Sequence, residues 1–366
     1  MRLRSVHSLQ ANDRLAKAIY NEKGQVLVQS GIPLSAAMIS RLKAKGITFA
    51  YVDDEATSDI LFQEVITEQT RHTSINTIRK SFQAVTAPQV LQKSFEVDKI
   101  SRPFGNIVEH VLRDVRYHEE AISLLSSAYC YDSYIFHHSL NVTVYALALG
   151  ERMGLRDSQL KDLGLGALLH DIGKMAVPTE VLHKQQALTD EEFALIKEHT
   201  TAGYELLRKA HTIPLLSAHC AYQHHERLNG SGYPRGISGN EIHLYGKIIG
   251  IADVFDAVTS NRVYRKAKLP HEGLELLYSG VGSLFDKAMV EVFAKTIAIY
   301  PVGLEVVLSD GRQGVVSKQN KHMNARPTIR IMEEDGLAVE PYEVDLTKEL
   351  SITIVKCEAR LSEEAS

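Results

Sequence analysis

Cysteine is scarce in this chain of 366 residues: Cys130, Cys220 and Cys357 stand far apart and no CxxC pair occurs. A disulfide framework is excluded, and a reducing compartment, the cytoplasm, is expected. Long apolar runs are missing as well. Nowhere do about 18 apolar residues follow one another, and the opening stretch from Met1 to Arg14 has no apolar centre, so neither a membrane span nor a signal peptide is expected. An excess of positive charge is also absent. A formal net charge of -4 and a pI near 6.5 argue against a general binder of DNA or RNA duplexes, which needs a basic stripe to neutralise phosphates. Any phosphate ligand must then be met by local cations or by metals. Internal repeats and low-complexity tracts are lacking too.

What the chain does have is ligand-type side chains at intervals: His138, then His170 and Asp171, His199, His224 and His225, and Asp253. Seven such groups over little more than a hundred residues are too many for one ion and suit two. They arrive singly or in pairs on stretches of helical periodicity, so a bundle must fold to gather them, as in helical dinuclear sites. A zinc finger or a metalloprotease helix would instead bring its ligands in close pairs.

At 44% hydrophobic, the chain can bury a full core, and its length allows two or three domains. Residues 1–55 read as a small α+β unit. Leu15–Tyr20 and Gln25–Val28 flank the turn signal Asn21 to Gly24 as a hairpin. A short helix with Ile39 and Leu42 follows, capped by Gly46, and then a strand from Phe49 to Val52. Residues 56–96 are polar with thinly spaced Ile60, Val65 and Ile75, and suit a helical connector. Residues 97–300 are dominated by helical periodicity: Leu140, Val144, Leu147 and Ala148 form one stripe, and Leu163, Gly166, Ala167 and His170 repeat it with the histidine in line. Residues 301–366 turn to β texture, with strands at 302–308, 314–316, 328–331 and 351–355. The fold class expected is mainly α, a helical bundle between a small N-terminal α+β domain and a short C-terminal β extension.

A lone histidine on an apolar helix face is more often a hydrogen-bonded core residue than a ligand. His170-Asp171 differs because it ends an apolar stretch, where an unpaired carboxylate would be costly and a cation is the simplest compensation. A carboxylate offers two oxygens, which makes Asp171 the natural bridge between two ions. Gly173 leaves the backbone free to turn there, and Lys174 then reaches substrate rather than core, the alternative being a solvated surface lysine. Phe193, Ile196, Ala202 and Leu206 mark a buried face with His199 at its edge. The neighbours His224 and His225 point about 100° apart, and Glu226 suits a role orienting an imidazole. Of Asp253 and Asp256, one turn apart, Asp253 is the favoured ligand and Asp256 the structural group. The loop from Asn229 to Gly236 is a candidate substrate wall, with Tyr233 stacking on a base and exposed N–H groups, Gly232 among them, meeting phosphate oxygens. Arg262 and Arg265 share a helical face and read as a phosphate clamp or as an exposed basic turn.

His170-Asp171-Ile172-Gly173-Lys174, the downstream His199, and His224-His225-Glu226 followed by Gly230-Ser231-Gly232-Tyr233-Pro234 resemble the HD-GYP subfamily of the HD phosphohydrolases. The resemblance covers about residues 97–300. It implies a phosphodiesterase that hydrolyses cyclic di-GMP to linear pGpG, in some members onward to GMP, in bacterial signalling that governs motility and biofilm. It also implies metal ligation by His138, His170, Asp171, His199, His224, His225 and Asp253, a metal-adjacent role for Lys174, and phosphate contacts from Arg262 and Arg265. Members with three metals carry a glutamate where this chain has Tyr134, so two ions and a product that stops at pGpG are expected. Asn229 stands where many members have aspartate.

Two cations can hold a bridging hydroxide near neutral pH and aim it at phosphorus. Lys174 or a water on the metal would protonate the departing ribose oxygen. Imidazole and carboxylate donors without thiolates favour iron or manganese, with nickel behind them. The alternatives are a phosphodiesterase for another cyclic dinucleotide, such as 3′,3′-cyclic GMP-AMP, and a non-catalytic cyclic di-GMP binding module. The N-terminal domain is the only visible input, through a homodimer or a signalling partner.

Overall fold

A computed structural model describes the chain except residues 21–25, 46, 61–63, 86–93, 119–121, 123–133, 183, 185, 261–266, 321–322 and 358–366. The hairpin turn at 21–24, Gly46, Cys130, Arg262 and Arg265 lie outside the described residues, as does the side chain of Tyr134. The fold is mainly α, as expected. No helix among the described residues is long and apolar enough to cross a membrane.

The N-terminal unit contains β1 (Arg2–Ser5), β2 (Ile19–Tyr20), β3 (Val26–Val28), α1 (Ala36–Ala44) and β4 (Phe49–Val52). The expected hairpin forms as the antiparallel pair β2 and β3. Ser35 caps α1 by accepting the N–H of Met38, and Ile39 and Leu42 turn inward into a core with Leu15 and Leu34. Strand β4 pairs antiparallel with β1, an element too short to announce itself.

The bundle follows as α2 (Glu68–Val85), α3 (Ser94–Tyr117), α4 (Tyr134–Arg152), α5 (Asp157–Leu169), α6 (Thr179–Leu182), α7 (Asp190–Leu207), α8 (Leu215–Gln223), α9 (Leu244–Thr259), α10 (Pro270–Ser279) and α11 (Lys287–Ala294). The segment read as a connector feeds this same core: Val65, Ile66, Ile75, Ile78 and Phe82 are buried with residues of α3 and α4. Sparse apolar spacing at 60, 65 and 75 understated a stripe that continues through Ile78 and Phe82.

Aromatic rings lock the helices that matter most for the site. Tyr145 of α4 meets Phe255 of α9 edge to face at 5.2 Å, and Phe255 meets Phe293 of α11 at 5.1 Å. On α4 these contacts lie about two helical turns from His138, and they fix the helix against α9.

The C-terminal strands β5 (Glu305–Leu308), β6 (Gln313–Lys318), β7 (Thr328–Glu334), β8 (Leu337–Asp345) and β9 (Ile354–Cys357) form one antiparallel sheet in the order β8-β7-β6-β5-β9. Strand β8 escaped the sequence reading because Pro341 interrupts it and most of its side chains are exposed. As an edge strand it tolerates both.

The two chain ends share a core rather than standing apart. Leu3, Phe49 and Tyr51 pack among Leu304, Val306, Val315 and Ile329. The Leu3 N–H donates to the Gly303 carbonyl at 2.7 Å, and the Tyr51 hydroxyl donates to the Val302 carbonyl at 3.2 Å. Arg330 reaches across to Asp59 through two nitrogens, at 2.5 and 2.7 Å.

Phe255→Ala removes the ring shared by α4, α9 and α11. The expected cost is about 3–5 kcal/mol, read as a lowered urea midpoint for the bundle. An unchanged midpoint would contradict this account of the core.

Candidate metal centre

Each ligand-type residue arrives by a local structural reason. The run Leu163 to Leu169 is buried along α5 and delivers His170 at its C-terminal end; Asp171 then opens a short 3-10 turn over Ile172–Ala176. Thr189 and Glu192 close a reciprocal capping box that starts α7 and sets the register of His199. Helix α8 ends at Gln223, so His224 and His225 follow at its exit. Asp253 and Asp256 sit on the buried face of α9, and His138 on α4.

The helices bring all seven residues together around Asp171, which is 1% exposed. Its Oδ2 lies 3.4 Å from His170 Nε2 and 3.5 Å from His138 Nε2. Its Oδ1 lies 3.4 Å from His199 Nε2 and 3.8 Å from His224 Nε2. Asp253 completes the ring, with Oδ1 3.0 Å from His138 Nε2 and Oδ2 3.8 Å from His225 Nδ1. Two groups thus have the compactness of an ion site: His138, His170 and Asp171, and His199, His224 and His225.

Hydrogen bonds on the far side of four rings decide which nitrogen faces inward. His170 Nδ1 donates to the Ala167 carbonyl at 2.7 Å, His199 Nδ1 to the Ile196 carbonyl at 2.5 Å, and His224 Nδ1 to the Cys220 carbonyl at 3.0 Å. His138 Nδ1 donates to Asp256 Oδ2 at 2.7 Å. Each Nε2 is then the atom left for the centre, the arrangement of a metal-binding histidine. Asp256 is the structural group expected; Asn141 holds its other oxygen at 2.9 Å and Ser260 donates to that oxygen at 3.0 Å.

The donor set fits divalent cations. His199 Nε2 and His224 Nε2 face each other at 3.3 Å with both Nδ1 protons committed elsewhere, an arrangement that calls for a cation between or beside the lone pairs. His170 Nε2 and Asp171 Oδ1 are buried without a hydrogen-bond partner. Electrostatics agree. Burial pushes His199 down to about 4, and burial with neighbouring imidazoles holds His224 and His225 well below the usual histidine range, so these rings are neutral and ready to coordinate. Burial would raise Asp171 and Asp253, but Lys174 and His170 around the first and His138 beside the second outweigh it and keep both ionised. His138 is pulled the other way: burial lowers it, yet bonds to Asp253 and Asp256 carry it up to about 9. A cation at its Nε2 would take the place of that proton.

Lys174 does not point to solvent. Its Nζ lies 2.5 Å from Asp171 Oδ2 and its side chain is mostly buried. The ring of Tyr233 stacks on His225 at 4.6 Å between centroids. Gly232 is placed by packing: a Cβ there would collide with the His225 carbonyl and come within 2.5 Å of the Arg227 nitrogen.

Four local readings change. His199 is fully buried rather than at an edge, while Phe193, assigned to the buried face, is 45% exposed; α7 has turned its histidine inward and that ring outward. Glu226 orients no imidazole. Its Oε1 accepts the Arg235 N–H at 2.9 Å and so ties down the glycine-rich loop. Gly173 is needed for close approach rather than for turning, because a Cβ would overlap the His199 carbonyl oxygen. Arg227 was passed over; its Nη1 donates to the carbonyls of His224 and Glu226 at 3.0 and 2.8 Å and fixes the backbone behind the histidine pair. Only its position just after that pair hinted at this.

Comparison with known proteins places this geometry in context. Residues 118–289 match the HD domain family, and residues 305–363 match a KOW domain associated with HD domains. A cyclic di-GMP phosphodiesterase of Pseudomonas aeruginosa is 35% identical over 227 residues, covering 62% of this chain and 55% of its own length. A cyclic di-GMP phosphodiesterase of Thermotoga maritima is 36% identical over 205 residues, 56% of this chain and 54% of its own. A 3′3′-cGAMP-specific phosphodiesterase of Vibrio cholerae is 39% identical over 144 residues, 39% of this chain and 33% of its own. The chain spans about half the length of the first two relatives.

Gly173→Ala should force α7 away from the 3-10 turn. The expected loss is about 3 kcal/mol, as for an overpacked core, read as a fall in the unfolding midpoint. A variant as stable as the parent would mean that this contact is softer than its geometry implies.

Proposed function

We propose that this chain, whose residues 118–289 match the HD domain family, is a metal-dependent phosphodiesterase of the HD-GYP type that hydrolyses cyclic di-GMP to linear pGpG. The observation that carries the proposal is the Asp171 carboxylate, one oxygen toward His138 and His170 and the other toward His199 and His224. That placement supports Asp171 as the group shared by two ions. His138, His170 and Asp253 would complete one side and His199, His224 and His225 the other. Tyr134, at the sequence position where three-metal HD-GYP members carry a glutamate, supports two ions and a product that stops at the first cut. The donors, imidazole and carboxylate with no thiolate, favour iron or manganese.

Bound there, the ions would supply Lewis acidity toward a phosphodiester and a water nucleophile at neutral pH. The protein's own groups do the rest. The neutral His199, His224 and His225 need no proton removed before coordinating. Asp256 and Asn141 hold the His138 ring with its Nε2 inward. Lys174 holds its ammonium at the centre; once the Asp171 carboxylate is engaged, that ammonium can turn to the charge that builds on the phosphate or give a proton to the departing ribose oxygen. Tyr233 walls the site beside His225, and Arg262 and Arg265 are assigned to the phosphates from the sequence. A second substrate, 3′,3′-cyclic GMP-AMP, is favoured by the likeness to the Vibrio cholerae protein. A competition assay with both dinucleotides ranks them.

Asp171→Ala is expected to lose both metals and all hydrolysis; cyclic di-GMP turnover retained by that variant would dismiss the bridging role. Asp256→Ala, which frees the outer nitrogen of His138, is expected to weaken metal binding about 10–100-fold, measured by chelator competition. Chromatography of the product after reconstitution with iron or manganese tests the activity itself: pGpG supports the proposal, and intact cyclic di-GMP overturns it.

A further inference from the structure

Phe193 lies outside the buried core. It is a large aromatic ring, 45% exposed, on a helix whose other face is buried. Its surroundings give it a use. The Phe193 ring lies 6.3 Å from the Tyr233 ring at 82°, and Tyr233 in turn stacks on His225 and stands 6.5 Å from His199. The rings form an unbroken aromatic path from the metal-binding imidazoles to solvent. Lys197, one turn along α7, holds its ammonium 5.1 Å from the Phe193 centroid.

Two rings at right angles make a corner. A flat heteroaromatic base laid on one ring is met by the edge of the other, the two arrangements aromatic pairs prefer. Stacking of this kind accepts any base, because every base has a π-face. The cation next to the corner suits the phosphate that a nucleotide carries beside its base. A protein partner fits less well: a single exposed ring beside the Lys197 ammonium offers far less apolar area than a specific interface buries.

We propose that Phe193 and Lys197 form a nucleotide subsite outside the metal centre, Phe193 stacking on a purine base of the substrate and Lys197 meeting its adjoining phosphate. The assignment rests on the phosphodiesterase reading and deepens it, since it says how a base is gripped while the scissile phosphate lies over Asp171.

The chain has no tryptophan. Phe193→Trp therefore introduces a single indole fluorophore at an exposed position where a larger ring can be accommodated. Titration with GMP, and with cyclic di-GMP on the metal-loaded protein, should quench it saturably; ribose 5-phosphate, which has no base, should not. Leu215→Trp, a 57% exposed site at the far end of α8 from His224, should not respond. Adding Lys197→Met to Phe193→Trp should weaken GMP and leave guanosine unchanged. In turnover, Phe193→Ala should raise KM for cyclic di-GMP about 10–100-fold, the range expected for one lost base stack.

Indole fluorescence of the Phe193→Trp variant that is blind to GMP, or an unchanged KM in Phe193→Ala, overturns the subsite while leaving intact a wild-type chain that cleaves cyclic di-GMP. Equal weakening of GMP and guanosine by Lys197→Met removes the phosphate role. Saturable quenching of the Phe193→Trp variant by GMP, alongside a metal-loaded wild-type chain that cleaves no cyclic dinucleotide, overturns the phosphodiesterase reading and keeps the subsite.

Discussion

A carboxylate buried among imidazoles is the constraint on which the rest of this molecule depends. Asp171 is shut away from water, where an unpaired charge would be severely destabilising. Four Nε2 atoms and the Lys174 ammonium surround it. To reach it, α4, α5, α7, α8 and α9 must converge on one point, and the glycines and aromatic contacts between them make that convergence close enough. Gly173 lets α7 touch the 3-10 turn, and Phe255 pins α9 to α4. The packing serves the charge.

Much of the site was legible because charge in an apolar helix is conspicuous. His170 and Asp171 end the buried run of α5, and Asp253 interrupts the apolar stretch from Gly250 to Ala257. Such positions cost free energy unless something compensates, so they stand out without any structure. Between Asp253 and Asp256, one turn apart on the same face, the sequence offers a preference and the structure the roles: Asp253 faces His138 Nε2, and Asp256 steers the ring from its Nδ1.

Other features left too faint a trace. A four-residue strand such as β1 has no periodicity to detect, and β8 carries a proline and an exposed face. The rotation of α7 could not be read from its apolar residues, since Phe193 counted as buried where the structure puts it in solvent. Hydrophobicity alone assigns such a ring to the core; a ring that serves a ligand looks identical in the sequence. The role of Glu226 depended on the path of the Gly230 to Gly236 loop, which is a tertiary matter.

The outer hydrogen bonds of the histidines differ in one respect with a wider consequence. His170, His199 and His224 are each held by a carbonyl of their own helix, three or four residues earlier, whereas His138 is held by a carboxylate from another helix. Three of the rings are therefore aimed as soon as their helices form, before any of them meet. Assembly of the centre becomes a docking problem with most of its orientational entropy already removed, and His138 alone among these four registers whether α9 has arrived in its proper place.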